Sequence, residues 1–381
     1  MKKIWQALSY VLVAALATVI TLAATSGSEP QSKLDQLEGL IDERFIGEVD
    51  RAAIEDAAAR AMVDALGDRW SYYLSAQEYQ DYKEQMANSY VGIGITIQVT
   101  EDGKGYLITK VNEGGPAEAA GLLPGDRMVA VAGQSVLDKD TTETRDLVRG
   151  KPGTFVDITV VRNGEEMTFP VERKQVKTPV ATAKLLDNHV GLITIVNFDS
   201  RCADETIDAI EEMLDQGADA LIFDVRFNPG GYAKELVKVL DYLLPKGDLF
   251  RTVNYKGDVS VDTSDAKCLE IPMAVLVNGS SYSAAEFFAV ALSEYEAAVV
   301  VGEKTCGKGY YQVTMELDDG SAVGLSIGEY FTPKGKNLAG IGITPDVEIP
   351  VDEETAAAIY AGTLDPMEDP QIQAALEALN K

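Results

Sequence analysis

Residues 277–286 read V-N-G-S-S-Y-S-A-A-E, the segment that is most informative about the fold class. An apolar strand (273–277) runs into a turn of small polar residues and then into a helix (284–295), the strand–turn–helix unit of an α/β core. Ser283 stands at the start of the helix, where unpaired N–H groups and the helix dipole suit an oxyanion intermediate. Ser283 and Glu286 also have capping-box spacing, so this stretch alone leaves a purely structural N-cap open.

On both sides of this stretch, strands and helices alternate in a βαβ rhythm, which predicts a layered α/β core. The predicted core elements are strand 190–196, helix 203–216, strand 220–225, helix 232–244, strand 273–277, helix 284–295 and strand 298–301. Apolar residues at helical spacing predict a helical segment from residue 34, with a second helix at 52–66. Residues 352–381 are predicted to form one or two terminal helices.

A small mixed domain interrupts this pattern near residue 90. Its predicted elements are strands 95–99 and 106–111, a helix at 141–149, and a hairpin of 155–161 with 166–171. Asn163-Gly164 at the hairpin tip predicts a type I′ turn, because both residues tolerate a positive φ.

Two glycine-containing motifs carry possible chemistry. Residues 301–309, V-G-E-K-T-C-G-K-G, place Lys308 between two glycines that let another backbone come close. To act as a base, this lysine must have its pKa lowered by about three units through burial. Residues 223–231, F-D-V-R-F-N-P-G-G, end in Gly230 and Gly231, whose amides can donate to an oxyanion. Two structural interpretations remain possible at this point: a solvent-exposed turn lysine for the first motif and an ordinary strand-to-helix turn for the second.

Composition excludes several classes of protein. The formal net charge of −28 argues against nucleic acid as a partner, because phosphate binding requires a basic face. The single histidine, His189, excludes a multi-histidine zinc site and is predicted to lie in a solvated turn. We therefore predict no metal and no organic cofactor. Three cysteines allow one disulfide at most, and Cys202 with Cys268 is the preferred pair. The alternative is that the cysteines are ordinary buried thiols.

The N-terminus predicts the compartment. Lys2 and Lys3 precede an uncharged, apolar run at residues 4–24, which would be about 31 Å long as a helix and long enough to cross a bilayer. The lysines predict that this end stays in the cytoplasm. We expect an uncleaved single-pass anchor. A cleaved signal peptide is the alternative, although the A-x-A at residues 15–17 lies inside the apolar run.

Taken together, the motifs resemble those of the bacterial and plastid carboxy-terminal processing peptidases along nearly the whole chain. Residues 281–286 correspond to the family's S-A-S-A-S-E, with Ser283 as the nucleophile, and Lys308 follows 25 residues later as in the family's F-G-K-G. Gln312 stands at the position of the glutamine that orients the lysine. Residues 224–231, 340–346 and 67–74 are similar to the D-L-R-x-N-P-G-G, G-K-G-I-x-P-D and D-P-Y-S-x-Y-L segments.

The resemblance implies an α/β fold in which a crotonase/ClpP-like protease core carries an inserted, circularly permuted PDZ domain. The expected ranges are an anchor or signal at 1–25, a linker and N-terminal helical segment at 26–87, the PDZ domain at 88–176, the core at 177–351 and a helical tail at 352–381. Implied site residues are the catalytic Ser283, Lys308 and Gln312, the oxyanion donors Gly230, Gly231 and Ala284, and a PDZ carboxylate-binding loop of Val91, Gly92, Ile93, Gly94 and Ile95.

The implied activity is that of a serine endopeptidase in the bacterial cell membrane, with its catalytic domain outside the cytoplasm. Its expected partners are unfolded or flexible protein C-termini, the membrane, and a second copy bound through the helical termini. Tyr282, Ala285 and Cys306 depart from the family pattern, and Tyr282 is expected to narrow the pocket beside Ser283. The alternatives are an inactive peptide-binding scaffold and an acyl-CoA enzyme of the crotonase type.

Overall fold

The computed structural model describes residues 32–100 and 102–380. Within these ranges, no helix is both long enough and apolar enough to cross a membrane. The anchor predicted at residues 4–24 lies outside the described residues.

The described chain divides into two compact units between residues 62 and 63. Its first elements are helix α1 (Lys33–Arg44), helix α2 (Arg51–Asp64), strand β1 (Tyr72–Leu74) and helix α3 (Ala76–Met86). Helix α1 begins at a capping box in which Ser32 and Asp35 exchange hydrogen bonds, which satisfies two otherwise unpaired amides. The two helices predicted from residue 34 and at 52–66 are thus present, with slightly different ends.

A small β-rich domain follows, and it contains the elements predicted for the inserted domain. They are β2 (Ser89–Gly92), β3 (Ile95–Val99), β4 (Tyr106–Val111), α4 (Pro116–Ala120), β5 (Arg127–Val131), β6 (Gln134–Ser135), α5 (Thr141–Val148), β7 (Phe155–Arg162), β8 (Glu165–Glu172) and β9 (Lys174–Lys177). The main sheet has the order β3-β4-β5-β7-β8, so β3 is an edge strand. Asn163 and Gly164 both have positive φ, as a type I′ turn requires.

The chain enters and leaves this domain at the same place. Strand β2 pairs with β9 in antiparallel fashion, with Ser89 opposite Lys177. One residue further out, the Thr178 amide donates to the Asn88 carbonyl at 2.9 Å. The domain is therefore attached to the rest of the chain through two neighbouring strand ends.

The α/β core contains the elements that follow β9. They are β10 (Ala181–Leu185), β11 (Val190–Ile195), α6 (Cys202–Asp215), β12 (Ala220–Asp224), α7 (Ala233–Leu243), β13 (Gly247–Asn254), β14 (Val259–Ser264), β15 (Met273–Val277), α8 (Ala284–Glu294), β16 (Ala298–Gly302), β17 (Tyr310–Glu316), β18 (Ala322–Phe331), β19 (Val347–Glu348), α9 (Glu353–Tyr360) and α10 (Pro370–Ala378). Its six-stranded sheet has the order β10-β11-β12-β15-β16-β19 and is parallel except at β10. Strands β12 and β15 are buried throughout, because α6, α7 and α8 cover one face of the sheet and α10 covers the other.

A second sheet, absent from our sequence prediction, has the order β1-β18-β13-β14, with β17 paired to β18. It brings β1 next to β18, with Tyr72 opposite Gly324, although the two strands are far apart in the sequence. Parallel strands β12 and β15 end at one edge of the first sheet, so the segments that follow them meet there.

The tail and the cysteines complete the fold. Arg226, just after β12, forms a buried ion pair with Asp369 at 2.8 Å, and this contact fixes the start of α10 to the core. The preferred disulfide between Cys202 and Cys268 is not formed: both thiols are free. Cys202 is buried, and its sulfur lies 3.7 Å from the Thr206 hydroxyl, so it is an ordinary core thiol.

Candidate active site

Ser283 occupies the turn between β15 and α8 in a strained backbone conformation. Its φ of 57° and ψ of −124° lie in a region that residues with a side chain rarely adopt. Such a residue costs on the order of 1–3 kcal/mol and persists only where the surroundings impose it, often at functional sites. The side chain is 4% exposed. The backbone therefore presents this one hydroxyl at the helix start in a fixed direction.

The buried carboxylate of Glu286 joins the Ser283 turn to the Lys308 loop. It accepts hydrogen bonds from the amides of Ser283 at 3.0 Å, Gly307 at 2.8 Å and Lys308 at 2.9 Å, and from the Thr305 hydroxyl. Burial raises the pKa of this carboxyl, and these four hydrogen bonds act in the opposite direction. Glu286 therefore caps helix α8 and also holds the Lys308 loop in place.

The neighbouring serines occupy other environments. The Ser281 hydroxyl is fully buried and donates to the Val225 carbonyl at 2.7 Å. Ser280 is exposed in the turn, where its amide donates to Asn278. Only Ser283 of the three lines the large cleft described below.

Glycines allow the Lys308 loop to pack closely on a distant segment, as the sequence predicted. A Cβ at Gly307 would lie 2.9 Å from the Gly342 amide nitrogen and 3.0 Å from that of Ile341, and Gly307 also has a φ of +85°. The Gly340 amide donates to the Gly307 carbonyl at 2.9 Å. The late glycine motif therefore acts as a backbone support for the lysine loop.

The Lys308 amine lies against two aromatic rings. Its Nζ is 4.7 Å from the centroid of Trp70 and 5.9 Å from that of Tyr282, and the two rings are 5.7 Å apart. Burial lowers the pKa of Lys308 to about 8, while the charges of Asp68, Cys306 and Glu286 act in the opposite direction. A neutral amine is thus accessible near neutral pH. Among the described residues, no hydrogen bond joins this amine to the Ser283 hydroxyl.

The Gly-Gly turn after β12 packs against the Ser283 turn. A Cβ at Gly230 would lie 2.7 Å from Ser283 Cβ and 2.9 Å from the Ala284 nitrogen. The Gly230 amide donates to Asn228 Oδ1 at 2.8 Å, so it is already engaged. The Gly231 and Ala284 amides have no acceptor within the described ranges. Of the three oxyanion donors expected from the sequence, these two are free to bind an oxyanion.

Gln312 lies on β17 and faces the same cleft, but its amide is directed elsewhere. Its Nε2 donates to the Ser326 hydroxyl at 2.9 Å and to the Tyr310 carbonyl at 3.3 Å. No hydrogen bond between Gln312 and Lys308 is present in the part of the chain that the structure describes. The predicted orienting role of Gln312 therefore stays a prediction.

A cleft of about 680 Å³ unites these groups. Ser283, Lys308, Gln312, Gly230 and Gly231 all line it. The second sheet, α3 and the loop after β11 provide the remaining walls, and tyrosine side chains are frequent among them. The cleft therefore has the size of a site for a small ligand or a short peptide segment.

The predicted carboxylate-binding loop lies in a second groove, of about 320 Å³. This groove runs between edge strand β3 and helix α5, and Arg145 and Arg149 line it together with Gly92, Ile93 and Gly94. The amides of Ile93 and Gly94 have no acceptor among residues 32–100 and 102–380. Two free amides beside an open strand edge suit a peptide that adds as an extra strand, with its carboxylate on the loop.

Trp70 and Asp199 also belong to the site, although neither was predicted from the sequence as a site residue. Trp70 belongs to the quoted segment 67–74, and Asp68 accepts from its amide at 3.1 Å, which shapes the turn that presents the indole to Lys308. Asp199 lines the large cleft from the loop after β11. No local sequence signal identifies it, because its position depends on the tertiary packing of three segments.

Comparisons with known proteins agree with this architecture. The family model for Peptidase family S41 matches residues 189–349, and a PDZ domain model matches residues 107–162. The "Carboxy-terminal processing protease CtpA" of Bacillus subtilis (strain 168) is 31% identical over 330 residues, which are 86% of this chain and 70% of the relative. A "Probable CtpA-like serine protease" of Staphylococcus haemolyticus (strain JCSC1435) is 32% identical over 369 residues, 91% and 73% of the two chains.

A solved structure supports the fold alone. The putative S41 protease from Bacteroides fragilis NCTC 9343 covers 77% of this chain and 82% of its own, with a TM-score of 0.51 and 19% identity.

Fold, domain matches and relatives together define the class: an α/β serine protease with a PDZ domain. More specifically, the chain belongs to the carboxy-terminal processing proteases of peptidase family S41. The fold class and the enzyme class predicted from the sequence are confirmed.

Proposed function

We propose that this chain is a membrane-anchored, exported endopeptidase with Ser283 as nucleophile and Lys308 as general base. The observation that carries the proposal is that a strained serine, a lysine with a pKa of about 8 and the unengaged Gly231 amide line one cleft, with the unengaged Ala284 amide next to the serine. These are the parts that serine acyl transfer needs: a nucleophile, a base and oxyanion donors.

In the proposed reaction, neutral Lys308 takes the Ser283 proton as the hydroxyl attacks the scissile carbonyl. The Gly231 and Ala284 amides stabilise the oxyanion, and the Lys308 ammonium then protonates the leaving amine. Water then attacks the acyl-enzyme ester; Lys308 takes a proton from this water and returns it to the Ser283 oxygen as the carboxylic acid product leaves. Gln312 is proposed to orient the lysine during these steps.

The resting position of Lys308 requires one movement. Its amine lies over the Trp70 ring and has no hydrogen bond to Ser283 within the described chain. A lysine side chain has enough rotatable bonds to exchange one contact for the other, and catalytic hydrogen bonds often tighten only when substrate binds. We propose that substrate in the cleft brings the amine to the serine.

The PDZ groove is proposed to bind the C-terminus of an unfolded or flexible substrate. The free Ile93 and Gly94 amides would receive the carboxylate, and the β3 edge would pair with the tail. The loop Val91 to Ile95 and the PDZ range 88–176 remain predictions, supported by this groove and by the β2–β9 pairing.

Amidation of a substrate's C-terminus is expected to slow its cleavage. It removes the charge and one acceptor oxygen, and loss of a charge-assisted contact lowers recognition about ten- to a hundredfold. The measurement is kcat/KM for a long flexible peptide with an apolar C-terminus, compared as free acid and as amide.

A variant lacking residues 90–176 is the control, because it should cleave both forms at one common rate, whatever that rate is. Equal cleavage of the two peptides by the full-length enzyme would disprove the proposed tail recognition.

Strong chelators are expected to leave the activity unchanged. The proposed steps use only a serine, a lysine and backbone amides, and the chain has one histidine. The measurement is the cleavage rate before and after incubation with EDTA or 1,10-phenanthroline, with His189→Ala as a parallel variant. Loss of activity that added zinc restores would contradict the Ser-Lys mechanism.

The location and assembly of the enzyme rest on sequence and exposure. Lys2, Lys3 and the apolar run 4–24 support a single-pass anchor in the bacterial cell membrane, with the catalytic domain outside the cytoplasm. Leu34, Leu37 and Leu40 on α1 are each about half exposed, which supports the predicted homodimer through the helical termini.

A further inference from the structure

Asp199 is a buried acid in the active-site cleft that the proposed reaction does not use. It is 5% exposed, and its Oδ1 has no hydrogen-bond partner among the described residues. Buried polar atoms are nearly always paired, so an unpaired carboxyl oxygen that lines a cleft requires an explanation. Its own amide is held at 3.1 Å by Asn197, which fixes the loop.

The position of Asp199 places it close to the reacting groups. A Cβ on Gly231 would lie only 2.6 Å from Asp199 Oδ1, and the adjacent Gly230 packs against Ser283 Cβ. The carboxyl therefore lies against the Cα of Gly231, the residue after the one that packs on Ser283. A substrate residue next to the scissile bond would extend its side chain into this region.

The cations that line the cleft with Asp199, and the one that follows it closely in the sequence, contact other groups. Lys83 and Lys308 line the same cleft, but their amines lie over the rings of Tyr79, at 4.4 Å, and Trp70, at 4.7 Å. Arg201, two residues after Asp199, pairs with Glu205 at 2.7 Å. Burial raises the pKa of Asp199 to about 7. Its carboxyl is consequently ionised only above about neutral pH, and no ion pair to it is present among residues 32–100 and 102–380.

We propose that Asp199 is a specificity residue that binds a basic side chain, lysine or arginine, within two residues of the scissile bond. The inference rests on the proposed function, since it assigns a substrate preference to the same cleft. A substrate cation supplies the missing partner of the carboxyl oxygen. The formal net charge of −28 also favours a basic substrate, because an acidic protein attracts cationic chains.

The test is a set of matched peptides with one free-acid apolar tail and one scissile bond, located first by mass spectrometry. Each of the two residues on either side of the bond is made lysine or norleucine, which has a similar length and no charge. At pH 8.5, wild type is expected to favour lysine at one of these positions by about tenfold or more in kcat/KM. Asp199→Asn should reduce this ratio to about one.

Asp208→Asn is the matched control. Asp208 is exposed on α6 and does not line the cleft, so the variant loses the same charge and should keep the wild-type ratio. A ratio near one at every position in wild type, or a lysine preference that persists in Asp199→Asn, would overturn the proposal. Ser283→Ala separates a failure of this inference from a failure of the proposed function. If cleavage requires Ser283 but shows no preference for lysine, only the role of Asp199 is rejected.

A second measurement needs no variant, in case Asp199→Asn does not fold. The lysine-to-norleucine ratio of wild type should fall towards one as the pH drops through about 7, because Asp199 becomes protonated. Both peptides depend equally on Lys308, so its titration cancels in the ratio. A ratio that is constant between pH 6 and pH 9 would also reject the proposal.

Discussion

Ser283→Ala is expected to abolish peptide cleavage while the protein stays folded. The hydroxyl is the atom that would form the acyl-enzyme, and removal of such a nucleophile lowers kcat by on the order of 10⁴- to 10⁶-fold. The fold should tolerate the change, because an N-terminal serine of a helix contributes only about 1 kcal/mol and alanine has the same backbone restrictions. The measurements are kcat/KM on an unfolded protein and the midpoint of thermal unfolding.

Ser280→Ala is the matched control in the same turn. Ser280 is exposed and does not line the cleft, so this variant should retain wild-type activity. Residual cleavage by Ser283→Ala at more than about a hundredth of the wild-type rate would exclude Ser283 as the nucleophile.

Lys308→Arg is expected to be as inactive as Ser283→Ala, although the charge is retained. A guanidinium stays protonated throughout the working pH range and cannot take a proton from serine, whereas burial lowers the pKa of the Lys308 amine to about 8. Because only the neutral amine is a base, wild-type kcat/KM should rise about tenfold per pH unit below pH 8 and level off above it. The measurement is the pH profile of wild type beside single-point assays of the variant.

Lys304→Arg is the control for this substitution. Lys304 is exposed four residues earlier in the same loop and should be replaceable without loss. An active Lys308→Arg enzyme, or a wild-type profile that is flat between pH 6 and pH 9, would mean that another group accepts the proton.

The parts of the fold that the sequence predicted are those whose elements are buried on one or both faces. Strands β11, β12, β15 and β16 are continuous apolar runs with turn residues at their ends, and each was predicted within two residues of its actual bounds. The close backbone approaches in the site motifs were also predicted, because a glycine indicates a position where another backbone can come close. Gly307 and Gly231 both satisfy that requirement.

Two of the missed elements have little buried surface. Helix α3 has no buried residue, so hydrophobic periodicity gave no signal, although the capping box of Ser75 and Glu78 was available. In β14, only the last residue is buried. The side chains around Lys308 and the burial of Asp199 depend on distant segments, so no local pattern could have predicted them.

The paired ends of the PDZ domain have a consequence for engineering. Because the Asn88 carbonyl and the Thr178 amide are 2.9 Å apart, a two-residue turn is long enough to join them without moving the core. The same geometry would accept any foreign domain whose own termini are adjacent. The protease core could thus carry a different peptide-binding domain in this position, which under the proposed function would change the substrates that it cleaves.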